Sequence, residues 1–322
     1  MTIRVPQVMR AAAINRFGGP EVLTIHSLPV PSPDPDEVLI AVHTAGVGSW
    51  DADMRGGWWP EGRPKFPVVL GTDGAGKVVA VGSRVRRLQV GDKVYAYSFN
   101  NPKGGFYAEY VAVPAANVAP APETLDLRRA GAIATTGLTA LQGIDDALRI
   151  RAGEALIIHG ASGGVGTLAV QFAKARGARV LATASGQDGV KLVRRLGADM
   201  AIDGHRESLP AAARAFAPDG VDAVLAFAGG GLLTECLHAL RRGGKVAYPN
   251  GVEPKPRKRS GIEVITYDAE PGVQEFRRLN RAVKAEALKV PITAVYKLDE
   301  AHKAHKRLAA EHVLGKIVLK IR

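Results

Sequence analysis

Only Cys236 is a cysteine among 322 residues, so no internal disulfide and no cysteine-built zinc lobe can form. Aromatic side chains make up only 6%, few for an RNA-stacking surface. No long apolar run is present. The longest uncharged stretch, Ala155 to Ala173, approaches a membrane span in length, but His159, Gly160, Ser162, Gly163, Gly164, Gly166 and Gln171 interrupt it. A strand, a glycine turn and a helix start explain it better. Met1 to Pro20 has no continuous apolar core of a signal peptide, so secretion is not expected. With a single thiol, the cytoplasm is the expected compartment. What is present, 46% hydrophobic and 23% charged residues over this length, suits about two domains with a large core and excludes a disordered chain.

The charge is uneven. The whole chain has 43 basic and 31 acidic side chains, 43 − 31 = +12. Residues 241–322 carry 19 basic and 9 acidic of these, a net of +10, leaving +2 for the first 240. A solvated basic face, a nucleic-acid patch and a site for an anionic cofactor all fit that number. The run Lys255, Arg257, Lys258, Arg259 has no RNA motif around it, so a solvated loop is the preferred reading.

Up to about Glu123 the chain reads as β-rich. Glu37–His43, Lys77–Val81 and Lys93–Tyr97 are strand-like, separated by glycine and proline. Val118–Glu123 (VAPAPE) reads as a linker. From about Leu125, strands alternate with helices, which implies a parallel, doubly wound sheet. Its strands are Ala155–Ile158, Arg179–Ala184, Asp222–Phe227, Lys245–Tyr248 and Glu263–Tyr267. Leu233, Cys236, Leu237 and Leu240 fall at helical spacing, which makes Cys236 a core thiol and not a nucleophile. The tail reads as a helix over Val273–Leu288, a strand, a helix over Asp299–Glu311, and a strand at Gly315–Leu319.

The strongest local signal is His159-Gly160-Ala161-Ser162-Gly163-Gly164-Val165-Gly166, after a buried strand and at a helix start. Amides and the helix dipole there suit a pyrophosphate, and glycines let it approach. Ala161 departs from the general G-x-G-x-x-G pattern. The next strand ends in Ala184-Ser185-Gly186, and no acidic side chain follows until Asp188. An NAD enzyme places an acid there for the ribose 2′-hydroxyl. Ser185, Lys191, His205 and Arg206 could instead receive a 2′-phosphate, so NADPH is preferred.

These motifs carry a family likeness. The chain resembles the zinc-independent, zeta-crystallin-like quinone oxidoreductases of the medium-chain dehydrogenase/reductase family. The likeness runs through Phe17–Leu23, Gly71–Gly76, Val90–Val94, Tyr107–Tyr110, Gly137–Ala140, the glycine loop, and Gly315–Leu319. It implies a GroES-like β-rich catalytic domain from residues 1–124 and 266–322. Residues 125–265 would form a Rossmann NADPH-binding domain. The cofactor would contact Thr139, Ala161, Ser162, Gly163, Gly164, Val165, Gly166, Ser185, Lys191, His205, Phe227, Asn250, Gly251 and Lys316.

In the alcohol-dehydrogenase branch a cysteine lies three residues before an aspartate; here Gly48 takes that place before Asp51. Thr72 and Asp73 stand where a histidine and a glutamate are usual. No catalytic zinc is therefore expected. His302, His305 and His312 are read as helix surface, not a metal cluster. Without a Lewis acid, a quinone or α,β-unsaturated carbonyl is the expected acceptor, taking the pro-R or pro-S hydride of NADPH. Family members often carry asparagine at Gly48 and tyrosine at Asp53. Trp50, Asp51, Arg55, Trp58, Tyr95 and Tyr107 remain as candidate pocket residues, with Trp50 and Tyr107 favoured for stacking or proton donation. Asp51 is expected to hold its loop. The alternatives are an enoyl-thioester reductase, an alcohol dehydrogenase-like enzyme and, in another class, an RNA-binding protein using the basic tail. A homodimer paired through Glu263–Tyr267 is expected, with no membrane or nucleic-acid partner.

Overall fold

Ala155–His159 is apolar except for its last residue, and all five side chains are buried. A strand with no polar face must be covered on both sides, and here it lies at the centre of a parallel sheet. The computed structural model describes residues 5–60, 62–256, 259–310 and 312–322. The sheet has six strands in the spatial order Met200–Asp203, Arg179–Ala184, Ala155–His159, Val221–Ala226, Leu240–Pro249, Glu263–Tyr267. Every neighbouring pair is parallel. In chain order this is 3-2-1-4-5-6, the dinucleotide-binding arrangement, with its crevice where the order reverses beside Ala155–His159.

The rest of the β structure forms a second lobe. Seven strands pair mostly antiparallel around Glu37–Val47, and a three-stranded sheet packs Val8–Ile14 between Thr24–Pro29 and Val68–Val69. Both ends of the chain reach this lobe. Lys316–Lys320 pairs with Glu37–Val47, and Ile292–Lys297 joins it on the far side. The helix Leu127–Gln142 connects the lobes. Asp126 caps it by accepting the Arg129 amide at 2.7 Å, and every side chain from Ala130 to Gln142 is buried.

Three expectations need correction. Val118–Pro120 is not a linker but an edge strand, paired with Lys93–Tyr97, because an apolar Val-Ala pair beside a sheet edge gains more as a ladder than as coil. Leu240 does not extend the helical stripe. The helix ends at His238, and Leu240 opens the next strand. The tail helices are shorter, Val273–Ala285 and Ala301–Ala309; Glu311 lies outside the described residues. Cys236 is fully buried on its helix, and burial pushes its thiol up to about 12.

Candidate active site

The glycine loop joins the central strand to the helix Gly166–Ala175. Gly160 takes a φ of 77°, a left-handed turn that favours glycine. A Cβ at Gly166 would overlap the Gly160 carbonyl, so loop and helix close only with glycine there. The amides of Gly164, Val165 and Gly166 donate to no acceptor among the described residues. Three free donors at a helix start are a cradle for a phosphate.

The returning C-terminal segment passes this loop. Gly315 donates its amide to the Ser162 carbonyl at 2.8 Å, and Lys316 follows. Lys316 is 5% exposed, with its stem beside Gly164 and its ammonium 5.1 Å from the Trp50 ring centre. No carboxylate lies within ion-pair distance of it among the described residues. Its charge also acts on the buried Asp51 carboxyl, but with no ion pair of its own among the described residues it is available to an anionic ligand. Thr139 donates to the Thr135 carbonyl at 2.9 Å, and Tyr267 donates to the Thr139 carbonyl at 2.9 Å. Tyr267 and Asp268, which accepts from Asn250 at 2.7 Å, were not singled out by the sequence. Their side chains meet distant partners, so no local pattern marked them. Phe227 is half-buried against Gly160, and Gly251 has a φ of 93°.

At the other end of the loop, the Ser185 amide donates to Ser162 Oγ at 3.3 Å. Lys191, His205 and Arg206 are exposed. Among the described residues, His205 makes only a backbone bond, its amide donating to Asp203 Oδ1 at 3.1 Å. Beside Ser185 stands His312, which lies beyond the end of the helix Ala301–Ala309 and not on its surface as expected.

His305 is not surface. It is fully buried in a chain of hydrogen bonds under the lobe junction. Arg55 Nη1 lies 2.8 Å from His305 Nδ1, and because guanidinium only donates, that nitrogen accepts. His305 Nε2 therefore carries the hydrogen and donates to the Tyr107 oxygen at 3.0 Å. Tyr107 in turn donates to Asp51 Oδ2 at 3.2 Å. Asp51 also accepts the Gly48 amide at 2.9 Å, the Thr72 amide at 3.1 Å and the Thr72 hydroxyl at 2.8 Å. Burial, with Arg55 beside it, holds His305 down to about 3, and burial pushes Asp51 up to about 6. Tyr107 is raised well above the ordinary phenol range by burial and by Asp51.

Tyr107 and Asp51 are thus bound inside this network and pin the loops at Gly48 and Thr72. Trp50 keeps a half-exposed ring whose buried Nε1 has no partner. Arg55 also donates to the Gly18 carbonyl at 3.0 Å, and Tyr95 donates to Asn280 at 2.6 Å; both are structural. Trp58 is 55% exposed near Phe99.

The comparisons with known proteins fit these features. A model described as the alcohol dehydrogenase GroES-like domain matches residues 34–123, and one described as zinc-binding dehydrogenase matches 196–319. A quinone oxidoreductase of Rattus norvegicus is 32% identical over 97% of this chain and 98% of its own length. The chain belongs to the quinone oxidoreductase family of medium-chain dehydrogenases, and it is an oxidoreductase. A chloroplastic NADPH-dependent alkenal/one oxidoreductase of Arabidopsis thaliana is also 32% identical, over 98% of this chain and 80% of its own. Among solved structures, an NAD-dependent alcohol dehydrogenase has a TM-score of 0.90 at 31% identity, covering 98% of this chain and all of its own (100%). A mycobacterial protein complexed with NADPH has a TM-score of 0.85 at 28% identity, covering 97% and 100%.

Although one matched model is described as zinc-binding, this member's residues do not fit a catalytic zinc. Gly48 has no side chain, and a Cβ there would overlap the Trp50 indole. The Thr72 hydroxyl is spent on Asp51, and Asp73 Oδ2 accepts the Thr135 amide at 3.0 Å. Among the described residues no three histidine, cysteine or carboxylate groups gather as ligands. Arg257 and Lys258 of the basic run lie outside the described residues; Arg259 donates to the Leu237 carbonyl at 2.9 Å.

Proposed function

We propose that the chain is an NADPH-dependent reductase of quinones and α,β-unsaturated carbonyls that works without zinc. The observation that carries this is the pairing of three unpartnered loop amides with the buried Lys316, which forms no ion pair among the described residues, facing a lobe that holds Gly48 and Thr72 where the resemblance would place metal ligands. The amides of Gly164 to Gly166 and Lys316 hold the pyrophosphate, and Thr139, Phe227, Asn250 and Gly251 flank the nicotinamide end. Ala161, Ser162 and Gly163 shape the loop, and Ser185, Lys191 and His205 serve the adenosine end. Bound NADPH supplies a hydride to an electron-poor carbon. The half-exposed Trp50 indole covers the acceptor. The relatives named for quinones and for alkenals and alkenones support the acceptor class.

The test is NADPH oxidation by the full chain with panels of quinones, enones, enoyl thioesters and alcohols, with and without a chelator. Turnover of the first two, unchanged by chelation, is expected. Tight NADPH binding without turnover on any of them would sink the reading.

The same reading includes the division into a catalytic part, 1–124 and 266–322, and a nucleotide part, 125–265. It also includes a homodimer through the sheet edge Glu263–Tyr267 and a cytoplasmic site of action. Among the described residues no helix is long and apolar enough to cross a membrane.

A further inference from the structure

His312 lies in the segment that leads back toward the glycine loop, yet its ring reaches the far end of the nucleotide crevice. Its Nδ1 lies 3.1 Å from Ser185 Oγ, and its Nε2 lies 2.9 Å from Asp188 Oδ2. The backbone of His312 is left-handed, with φ at 51°. The ring also packs against Gly186 at the start of the helix Gly186–Arg195. Serine, histidine and aspartate therefore converge where the second strand of the sheet ends. In a doubly wound fold that is where the adenosine ribose is read.

We propose that His312 selects the cofactor, its proton deciding between a 2′-phosphate and a free 2′-hydroxyl. This rests on the nucleotide reading above and goes further by naming the residue that sets cofactor choice. When His312 is neutral, Nε2–H donates to Asp188 and Nδ1 accepts from the Ser185 hydroxyl. Ser185 has then spent its hydrogen, and the cluster carries the Asp188 charge. A 2′-phosphate, close to doubly charged at neutral pH, is repelled by that carboxylate. A 2′-hydroxyl is welcome, because Asp188 accepts from it. When His312 is protonated, both ring nitrogens donate. Ser185 then accepts from Nδ1, its own hydrogen is released to a phosphate oxygen, and the cluster is neutral. One proton thus changes both the charge and the donor count of the subsite.

Among the described residues, the charged groups against His312 come from two elements. Asp188 belongs to Gly186–Arg195, and its carboxyl is held below the ordinary range by the hydrogen bond from His312. Arg307, of Ala301–Ala309, donates to the His312 carbonyl at 3.0 Å. The ring is 42% exposed and reaches solvent.

The experiment measures NADPH and NADH dissociation constants for the full chain from about pH 6.5 to about pH 8.5. The ratio of NADPH to NADH affinity is expected to fall about tenfold over that range. His312→Gln keeps a polar side chain that cannot titrate, and its ratio should stay flat within about threefold. That variant also controls for titration of the phosphate itself. Asp188→Asn should raise NADPH affinity at the alkaline end by about tenfold and leave NADH equal or weaker. Calorimetry in two buffers should show proton uptake with NADPH in the parent and none in His312→Gln. The same slope in the parent and His312→Gln, with both nucleotides binding, would overturn the selector and leave the nucleotide reading standing. Failure of either nucleotide to bind at any pH would overturn both.

Discussion

Two histidines seven residues apart end in opposite environments. His305 is buried with Arg55, Tyr107 and Asp51, whereas His312 sits half in water between Ser185 and Asp188. The partner chemistry is similar in the two clusters: a hydroxyl, a carboxylate and an imidazole. What differs is the surrounding medium. In the buried cluster, desolvation and the guanidinium keep the ring neutral, so its hydrogen-bond direction is frozen and it braces the lobe. In the exposed cluster the ring is open to solvent, and a proton gained or lost there would change both hydrogen-bond direction and charge. A histidine–carboxylate arrangement is therefore a strut or a switch according to its access to water.

The largest test of that contrast removes the buried anion. Asp51→Ala leaves the donors of Gly48, Thr72 and Tyr107 unsatisfied, and should cost about 4 kcal/mol in urea unfolding. The matching change in the exposed cluster, Asp188→Ala, should leave the unfolding midpoint nearly unchanged. Similar losses at both sites would break the comparison.

Gly48→Asn introduces a side-chain amide, yet its Cβ would overlap the Trp50 indole. A loss of about 2 kcal/mol is expected, mostly recovered when Trp50→Ala is added. No recovery in the double variant would show that the indole is not what excludes a side chain there.

The pH effect is smaller. His305 is held down to about 3 in the folded chain, below the unfolded value of a histidine. The unfolded state therefore binds the extra proton. The stability of the neutral ring is fully present above about pH 6.5 and is lost as pH falls, by about 1.4 kcal/mol per unit. Asp51, held up at about 6, acts in the opposite sense but is common to both proteins in a comparison with His305→Asn. The advantage of the parent over that variant should shrink as pH falls from about 6.5 to about 4.5. The smallest effect on stability is at the exposed ring, where His312→Asn should leave the unfolding midpoint nearly unchanged and alter the cofactor preference.

Much of the nucleotide lobe was legible because its signals are local. A buried apolar strand, a glycine loop and a helix start lie within Ala155–Ala175, and the strand–helix alternation after it forces parallel pairing. The errors fell where the outcome depends on distant partners. Val118–Pro120 became a strand because Lys93–Tyr97 offered an edge. His305 is spaced from His302 as on any helix face, but the face packs against Arg55, 250 positions away in the chain. The bonds of the Tyr107 hydroxyl to His305 and Asp51 likewise join distant parts of the chain.

The sequence by itself determined the parallel sheet and the glycine loop at its helix start. Each is a matter of residue type and short spacing, which backbone sterics and hydrogen-bond capacity translate directly into structure. Only the tertiary structure decided which titratable groups lose their water. It brought Lys316 beside Gly164 and Trp50, closed Asp51, Tyr107, His305 and Arg55 into one buried chain, and left His312 in water against Ser185 and Asp188. Burial and partner charge set proton affinity, and both are sums over contacts between parts of the chain that no local pattern connects.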